Sequence, residues 1–133
     1  MSLIVTPIVA ALCAFLLIVL SFRVMAHRRD KQVSLGDGND RDLERAIRIQ
    51  GNFVEYTPMA LVAMALAEIG GGNVWLLAVI GAALVAGRVF HAVALLKEPG
   101  RLALRVAGMV LTILALAAAG ILCLVNGLLA LLS

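Results

Sequence analysis

Apolar residues fall into four long runs along the chain, separated by short polar segments. The runs cover about residues 3–25, 44–68, 74–96 and 104–131. A helix that crosses a bilayer needs roughly 20 mostly apolar residues, because about 30 Å of hydrocarbon is crossed at 1.5 Å per residue. Each run is long enough. We therefore predict an all-α integral membrane protein, a bundle of four transmembrane helices in one domain over residues 1–133.

The segments between the runs carry turn chemistry. Glycine, asparagine, aspartate, serine and proline concentrate at residues 34–40, 70–73 and 97–100, and such clusters typically end one helix before the next begins. The first run has no basic residues before its apolar centre, as a cleaved signal peptide would have. We expect this run to remain in the mature protein.

Composition agrees with a membrane protein. The chain is 63% apolar and 14% charged, whereas soluble domains are about half apolar and about one quarter charged. Cys13 and Cys123 both lie within apolar runs, where a thiol behaves as a small apolar group. The cysteines therefore indicate neither a disulfide framework nor a metal site.

Basic residues predict the orientation in the bilayer, because Lys and Arg accumulate in short cytoplasmic loops. They flank the first and third connectors, at Arg23, Arg28, Arg29, Lys31, Arg41, Arg45, Lys97, Arg101 and Arg105. The second connector and both termini have none. Both termini should therefore be non-cytoplasmic. The net charge of +3 is explained by topology and contact with anionic lipid, and we expect no nucleic-acid partner.

Polar residues inside two of the runs need an explanation, because ionisable groups at membrane depth are costly and usually face a protein interior or a wet cavity. Arg48, Asn52 and Glu55 lie at i, i+4 and i+7, on one helical stripe. Arg88 and His91 are one turn apart on the next helix. The two helices run antiparallel, so these groups come level. We predict an ion pair between Glu55 and Arg88.

This constellation has two interpretations. A polar cluster can simply hold helices together. Alternatively, it forms a pocket in which guanidinium groups bind carboxylates while a carboxylate and amides bind an amino group. A zwitterion with extra carboxylates would match that inventory.

The spacing R-x-Q-x-N-x-x-E-Y-x-P over residues 48–58 resembles the signature of the MAPEG family, membrane-associated proteins in eicosanoid and glutathione metabolism. The Arg-Arg pair at 28 and 29, followed by Val33-Ser34, is similar to the same family. So is the segment R-V-F-H-A-V-A over residues 88–94.

The resemblance implies a homotrimer that binds glutathione between subunits near the cytoplasmic face. Arg105 would be the catalytic residue, because it resembles the arginine that stabilises the glutathione thiolate. Arg28 or Arg29 would hold a carboxylate from the first connector. The remaining candidate glutathione-binding residues are Arg48, Gln50, Asn52, Glu55, Tyr56, Arg88 and His91. Small residues on the fourth helix would allow close approach of helices during assembly, namely Gly108, Ala115, Ala118, Ala119 and Gly120.

Two departures from the family pattern bear on the reaction. Leu95 stands where the family has a tyrosine, and Val106 stands where the prostaglandin-forming member has a serine. One extra residue also separates His91 from Arg105. These departures argue against eicosanoid synthesis and leave a simpler conjugation or peroxide reduction.

We therefore expect a bacterial inner-membrane glutathione transferase or peroxidase that detoxifies lipophilic electrophiles arriving through the lipid. One alternative is a non-enzymatic lipid-binding or ligand-binding scaffold of the same fold. Another is a small proton-coupled transporter in which Glu55 titrates, although a Glu55 paired with Arg88 would titrate too low for that role.

The predicted topology can be tested with reporter fusions. A reporter placed after Ser133 should report a non-cytoplasmic location, and one inserted between Gly36 and Asn39 should report a cytoplasmic one, because the basic connectors stay inside. Paired phosphatase and fluorescent-protein fusions measure this directly. The reverse pattern at both positions would contradict the predicted orientation.

Overall fold

A computed structural model describes residues 3–96 and 100–132. Within them lie four helices, α1 (Val5–Lys31), α2 (Arg41–Ile69), α3 (Val74–Ala94) and α4 (Leu102–Leu132). The predicted all-helical class is confirmed. α1 continues six residues past its predicted end, and most of the turn predicted at 97–100 lies outside the described residues. The assignment of residues 1–133 to one domain stays a prediction.

Three of these helices, α1, α3 and α4, are long and apolar enough to cross a membrane. α2 has 29 residues, which is also ample length at 1.5 Å per residue. Its first half, however, carries the charged and amide residues predicted to form the polar constellation. The membrane character of the bundle is thus confirmed for three helices, and a fourth crossing by α2 stays a prediction.

The outward surface of the bundle is apolar. Large hydrophobic side chains are exposed along the whole length of α1 and α4, among them Ile8, Phe15, Val19, Phe22, Val110, Leu114, Ile121 and Leu128. Exposed apolar surface on this scale is rare on soluble proteins and suits contact with lipid or with another helix. The buried core lies on the opposite faces, where the helices meet.

Arg28 organises the loop between α1 and α2. Its Nη1 donates to the carbonyl oxygens of Val33, Ser34 and Gly36, at 3.5, 3.3 and 2.9 Å. The backbone turns through left-handed conformations there, with φ of 69° at Gly36 and 60° at Gly38, which glycine adopts without steric penalty. The guanidinium thus holds a tight turn together and is committed to that task.

Asp40 starts α2. Its carboxylate accepts a hydrogen bond of 2.8 Å from the backbone N–H of Leu43, as an N-cap residue does. Lys31, the last residue of α1, approaches the same carboxylate at 2.7 Å. The hydrogen bond from the Lys31 ammonium holds the pKa of the Asp40 carboxyl below its usual value. The end of α1 is thereby tied to the beginning of α2.

α3 and α4 make the most extensive contact in the bundle, and two glycines permit it. A Cβ added to Gly87 would lie 2.6 Å from Oγ1 of Thr112 and 2.8 Å from the carbonyl oxygen of Gly108. A Cβ on Gly108 would lie 2.6 Å from the backbone nitrogen of His91. All three distances are shorter than real Cβ contacts. The two helices therefore touch backbone to backbone, as small residues allow in membrane bundles.

This contact corrects one expectation from the sequence. The small residues of α4 were expected to face a second copy, but Gly108, Ala115 and Ala119 are buried inside this chain. Gly120 is exposed with open space around it. Most of the small residues are therefore used within the subunit, and the homotrimer stays a prediction that they do not support.

The opposite end of the bundle is closed by Glu68. Its carboxylate is only 7% exposed and accepts from the backbone N–H groups of Ile4, Val5 and Thr6, at 2.6, 2.7 and 2.8 Å. The first N–H groups of a helix have no partner within the helix and form a partial positive charge, so an anion is stabilised there. The end of α2 thus caps the start of α1.

The α3–α4 contact predicts how glycine substitutions behave. Gly87→Ala and Gly108→Ala should each destabilise the protein by about 1–3 kcal/mol, because the new methyl group forces the two backbones apart. Gly120→Ala is the matched control and should be neutral or slightly stabilising, because its surroundings are open and alanine favours helix. Thermal unfolding in detergent, followed by circular dichroism, measures all three. Equal stability of Gly108→Ala and Gly120→Ala would contradict the close contact.

Candidate functional site

A polar pocket of about 630 Å³ opens between α2, α3 and α4. It lies at the end of the bundle that carries the basic first connector, because it is formed by the first half of α2, the end of α3 and the start of α4. Five of the residues singled out in the sequence line it, namely Arg48, Asn52, Glu55, His91 and Arg105. The volume lies in the range of small-molecule sites, roughly 300–1,000 Å³.

Arg88 lies behind this pocket and is only 2% exposed. Its Nη1 donates to Oδ1 of Asn52 at 2.7 Å and to the Asn52 carbonyl oxygen at 3.2 Å. Its Nε donates to Oγ1 of Thr112 at 2.9 Å, and its Nη2 lies 3.5 Å from Sδ of Met109. The Tyr56 ring lies 5.8 Å from the guanidinium carbon, within reach of a cation–π interaction. One side chain on α3 therefore joins α2 to α4.

The predicted ion pair between Glu55 and Arg88 is wrong. The antiparallel helices do bring Arg88 level with the polar stripe of α2, but it is Asn52 that meets the guanidinium. Glu55 is exposed and lines the pocket, and no salt bridge joins it to any residue within 3–96 and 100–132. The physical reason is direction: Asn52 faces α3, while Glu55, almost one turn further along, faces the open side.

Four other predicted ligand residues do not line the pocket. Gln50 donates to Oγ of Ser21 on α1 at 2.8 Å, and Tyr56 lies against Arg88. Arg28 is committed to the loop carbonyls. Arg29 is exposed and lies beside Asp30 at 3.4 Å. In a single subunit these residues therefore serve the fold or the surface, and their predicted contact with a ligand stays a prediction.

His91 is the buried member of the pocket, with 4% of its surface exposed. Its Nδ1 is among the buried polar atoms that find no hydrogen-bond partner in the part of the chain that the structure describes. An unsatisfied buried ring nitrogen is unfavourable, by about 1–3 kcal/mol. Nδ1 of the imidazole is therefore an unused donor or acceptor that is itself buried, although other atoms of His91 line the pocket.

Arg101 and Arg105, one turn apart, reach different spaces. Arg105 lines the polar pocket together with His91. Arg101 lines a smaller cavity of about 290 Å³ with Arg45, Ala94 and Leu95, and Arg105 borders that cavity too. The extra residue between His91 and Arg105 thus does not remove Arg105 from the pocket.

The pocket presents mixed charge. Arg45, Arg48 and Arg105 contribute guanidinium groups, and Glu44 and Glu55 contribute carboxylates. Within residues 3–96 and 100–132, no group of three His, Cys, Asp or Glu side chains is placed to hold a metal ion. Such a wall can bind carboxylates and an ammonium group at once.

Comparison with known proteins gives these features a family. The profile of the MAPEG family matches residues 6–125. The chain belongs to the MAPEG family. It is also 42% identical over 87 residues to "Inner membrane protein YecN" of Escherichia coli strain K12 and to the protein of the same name in Escherichia coli O6:H1. That alignment covers 65% of this chain and 66% of each relative, just under two thirds of the relatives' length.

The family predicted from the sequence is therefore confirmed. The family match and the three apolar helices together make the chain a multi-pass membrane protein of a family associated with glutathione and eicosanoid metabolism. Its polar pocket is built from residues within the matched range, since Arg48 to Arg105 all lie between 6 and 125.

Sequence reasoning missed two residues of this MAPEG bundle. Thr112 accepts from Arg88 and donates to the Gly108 carbonyl oxygen at 2.8 Å. Its signal was available, because it is the one hydroxyl in the apolar run 106–125 and lies one turn from Gly108. Glu68, the last residue of the second apolar run, was given no role. A carboxylate at the end of an apolar run was the signal for a cap.

Two of the glutamates of α2, Glu55 and Glu68, should respond differently to neutralisation. Glu68→Gln should destabilise the protein by about 1–3 kcal/mol, because a carboxamide has one acceptor oxygen for three N–H groups and carries no charge. Glu55→Gln is the matched control and should leave stability unchanged, since Glu55 is exposed and unpaired among the described residues. Unfolding midpoints in detergent test this. A larger loss of stability for Glu55→Gln than for Glu68→Gln would support the ion pair between Glu55 and Arg88.

Proposed function

We propose that this MAPEG protein is a glutathione-dependent transferase or peroxidase of the bacterial inner membrane, acting on lipophilic electrophiles. The observation that carries the proposal is the convergence of Arg48, Asn52, Glu55, His91 and Arg105 on one pocket. Family membership supports the choice of glutathione as co-substrate. The YecN relatives, named as inner membrane proteins, support the location.

Glutathione fits the inventory of the pocket. The tripeptide has two carboxylates and one ammonium group, and the wall offers guanidinium groups from Arg48 and Arg105 with the Glu55 carboxylate. Arginine suits carboxylates because its planar fork donates two parallel hydrogen bonds.

Arg105 is proposed as the residue that stabilises the thiolate. A free cysteine thiol has a pKa of about 8.5, and a fixed cation nearby lowers that pKa and raises the thiolate fraction. Arg105 is exposed at the start of α4 and lines the pocket.

The reaction follows from the thiolate. In conjugation its sulfur attacks an electrophilic carbon, a C–S bond forms, and the leaving group departs with the bonding electron pair. In peroxide reduction the sulfur attacks one oxygen, the O–O bond breaks, and an alcohol leaves after protonation. The sulfur that has taken up this oxygen is a sulfenic acid, and a second glutathione thiol attacks it, so that the disulfide forms and the hydroxyl group leaves as water. The guanidinium of Arg105 stabilises the negative charge on the thiolate sulfur until the new bond forms.

A homotrimer is proposed on the family resemblance alone. Arg48 and Glu55 are exposed and line the pocket in a single subunit. A second copy packed against these residues would bring its own Arg29 to the pocket, and Arg28 and Gln50 would join it by exchanging the bonds that they make within one subunit. We also propose that α2 crosses the membrane. In a trimer, the polar first half of α2 would face the α2 helices of the other two subunits and not the lipid.

Two alternatives are separated by experiment. A scaffold would bind a lipid or peptide without turnover. The exposed Glu55 favours a proton-coupled transporter more than the sequence did, because Glu55 forms no ion pair with Arg88 that would keep it from taking up a proton. Calorimetric binding of glutathione to detergent-purified protein, followed by a scan of chloronitrobenzenes and lipid hydroperoxides, distinguishes them. Binding with turnover supports the enzyme, binding without turnover supports the scaffold, and proton-dependent uptake into vesicles supports the transporter.

Arg105 can be tested against its neighbour. Arg105→Ala should leave glutathione affinity within a few-fold and reduce kcat by roughly 10²–10³, the scale of a lost oxyanion donor. Arg101→Ala is the matched control, because Arg101 lines the other cavity, and it should change kcat little. The ultraviolet absorbance of bound thiolate should fall only in the Arg105 variant. Full turnover by Arg105→Ala would contradict its role.

A further inference from the structure

The bond between Arg88 and Asn52 determines which way the Asn52 side chain is turned. A guanidinium has five N–H donors and no acceptor. The Asn52 atom 2.7 Å from Nη1 of Arg88 must therefore be the carbonyl oxygen Oδ1 and cannot be the amide nitrogen. Turning the amide over would place two donors against each other. The Nδ2 group of Asn52 is consequently directed away from Arg88.

That amide group is available to a ligand. Asn52 is partly exposed and lines the polar pocket. Its Nδ2 donates to no atom among the residues that the structure describes, although Oδ1 and the backbone carbonyl oxygen both accept from Arg88. The Asn52 side chain therefore keeps its Nδ2 group as a free donor at the pocket.

Arg88 itself has no room to contact a ligand. It is 2% exposed, and each of its three nitrogens is directed to an acceptor within the bundle: Nε to Thr112, Nη1 to Asn52 and Nη2 to Met109. No carboxylate forms a salt bridge with it within residues 3–96 and 100–132. Its charge is therefore not cancelled by a neighbouring anion and adds positive potential behind Asn52.

We propose that Arg88 is a positioning residue that never contacts the ligand and that orients Asn52 as a donor to a carboxylate of the bound peptide. The inference deepens the proposed function and rests on it for the identity of the ligand. Acceptors on the ligand that Nδ2 could meet include carboxylates and peptide carbonyls. The carboxylate is favoured because Arg48, Arg105 and the buried Arg88 all contribute positive charge there.

Asn52→Asp is the decisive variant, because aspartate has the shape of asparagine and keeps an oxygen for Arg88. It replaces the Nδ2 donor with a second carboxylate oxygen, which repels an anionic ligand. We expect thermal stability equal to or above that of the wild type and glutathione affinity lower by roughly 100-fold, as for a lost hydrogen bond to a charged group. A variant that merely disturbed packing would lose stability together with affinity.

Two analogues of glutathione locate the carboxylate. One carries a carboxamide at its glycine end, and the other lacks the α-carboxylate of its γ-glutamyl residue. One of these analogues lacks the carboxylate that Asn52 binds. For that analogue, the affinities of the wild type and Asn52→Asp should differ by less than about 10-fold, because the repulsion is removed. An undiminished penalty with both analogues would overturn the assignment to a carboxylate.

Arg88→Lys separates orientation from packing. A lysine ammonium can still donate to Oδ1 of Asn52, so part of the glutathione affinity should return relative to Arg88→Leu. Asn52→Leu is the control for stability, since it leaves Arg88 without its acceptor and should lower the unfolding midpoint. If Arg88→Lys binds no better than Arg88→Leu, the orienting role fails.

The outcomes separate this inference from the proposed function. Absence of glutathione binding by the wild type would refute the proposed ligand, and the Arg88–Asn52 bond would still be tested by stability. In that case, the orientation is supported if Asn52→Asp is as stable as the wild type while Asn52→Leu is less stable. Asn52→Asp as unstable as Asn52→Leu overturns it. Binding of glutathione by Asn52→Asp at wild-type affinity overturns it as well.

Discussion

The structure depends on a buried positive charge that cannot be removed. An arginine does not lose its proton in proteins, and Arg88 lies among apolar helices with 2% of its surface exposed. Its donors must therefore find acceptors, and they find them on both neighbouring helices, at Asn52 of α2 and Thr112 of α4. These bonds fix how α2, α3 and α4 are set against one another along their length. The contact between Gly87 and Gly108 makes this possible, because it brings α4 close enough for Thr112 to reach Arg88.

The same interaction connects the fold to the pocket. The hydrogen bonds of Arg88 to oxygen go to neutral oxygens and not to a carboxylate. Its positive charge is therefore not neutralised and raises the electrostatic potential around it. Glu55 is left free at the pocket wall, and a ligand can use it. Had Glu55 paired with Arg88, the pocket would have lost both the Glu55 carboxylate and the positive potential behind Asn52. The arrangement thus keeps opposite charges available for a zwitterionic ligand.

The sequence predicted what length and periodicity determine. Four apolar runs predicted four helices, and the i, i+4, i+7 spacing placed Arg48, Asn52 and Glu55 on one stripe level with Arg88. Periodicity does not resolve which member of a stripe meets the neighbouring helix, and Asn52 and Glu55 differ by less than one turn. Thr112 stood out as a lone hydroxyl, but its bond with Arg88 could not be predicted, because nothing in the sequence specifies how far α4 slides along α3. Glu68 escaped notice because its partners are backbone N–H groups, which every sequence contains.

The central claim is that Arg88 orients Asn52 toward the ligand without touching it. The most direct measurement is a cryo-electron microscopy or crystal structure of the protein in lipid with glutathione added. It should show Nδ2 of Asn52 within about 3 Å of a glutathione carboxylate, with Arg88 bonded to Asn52 and Thr112 and out of contact with the peptide. A guanidinium of Arg88 bonded directly to glutathione, or paired with Glu55, would contradict the account.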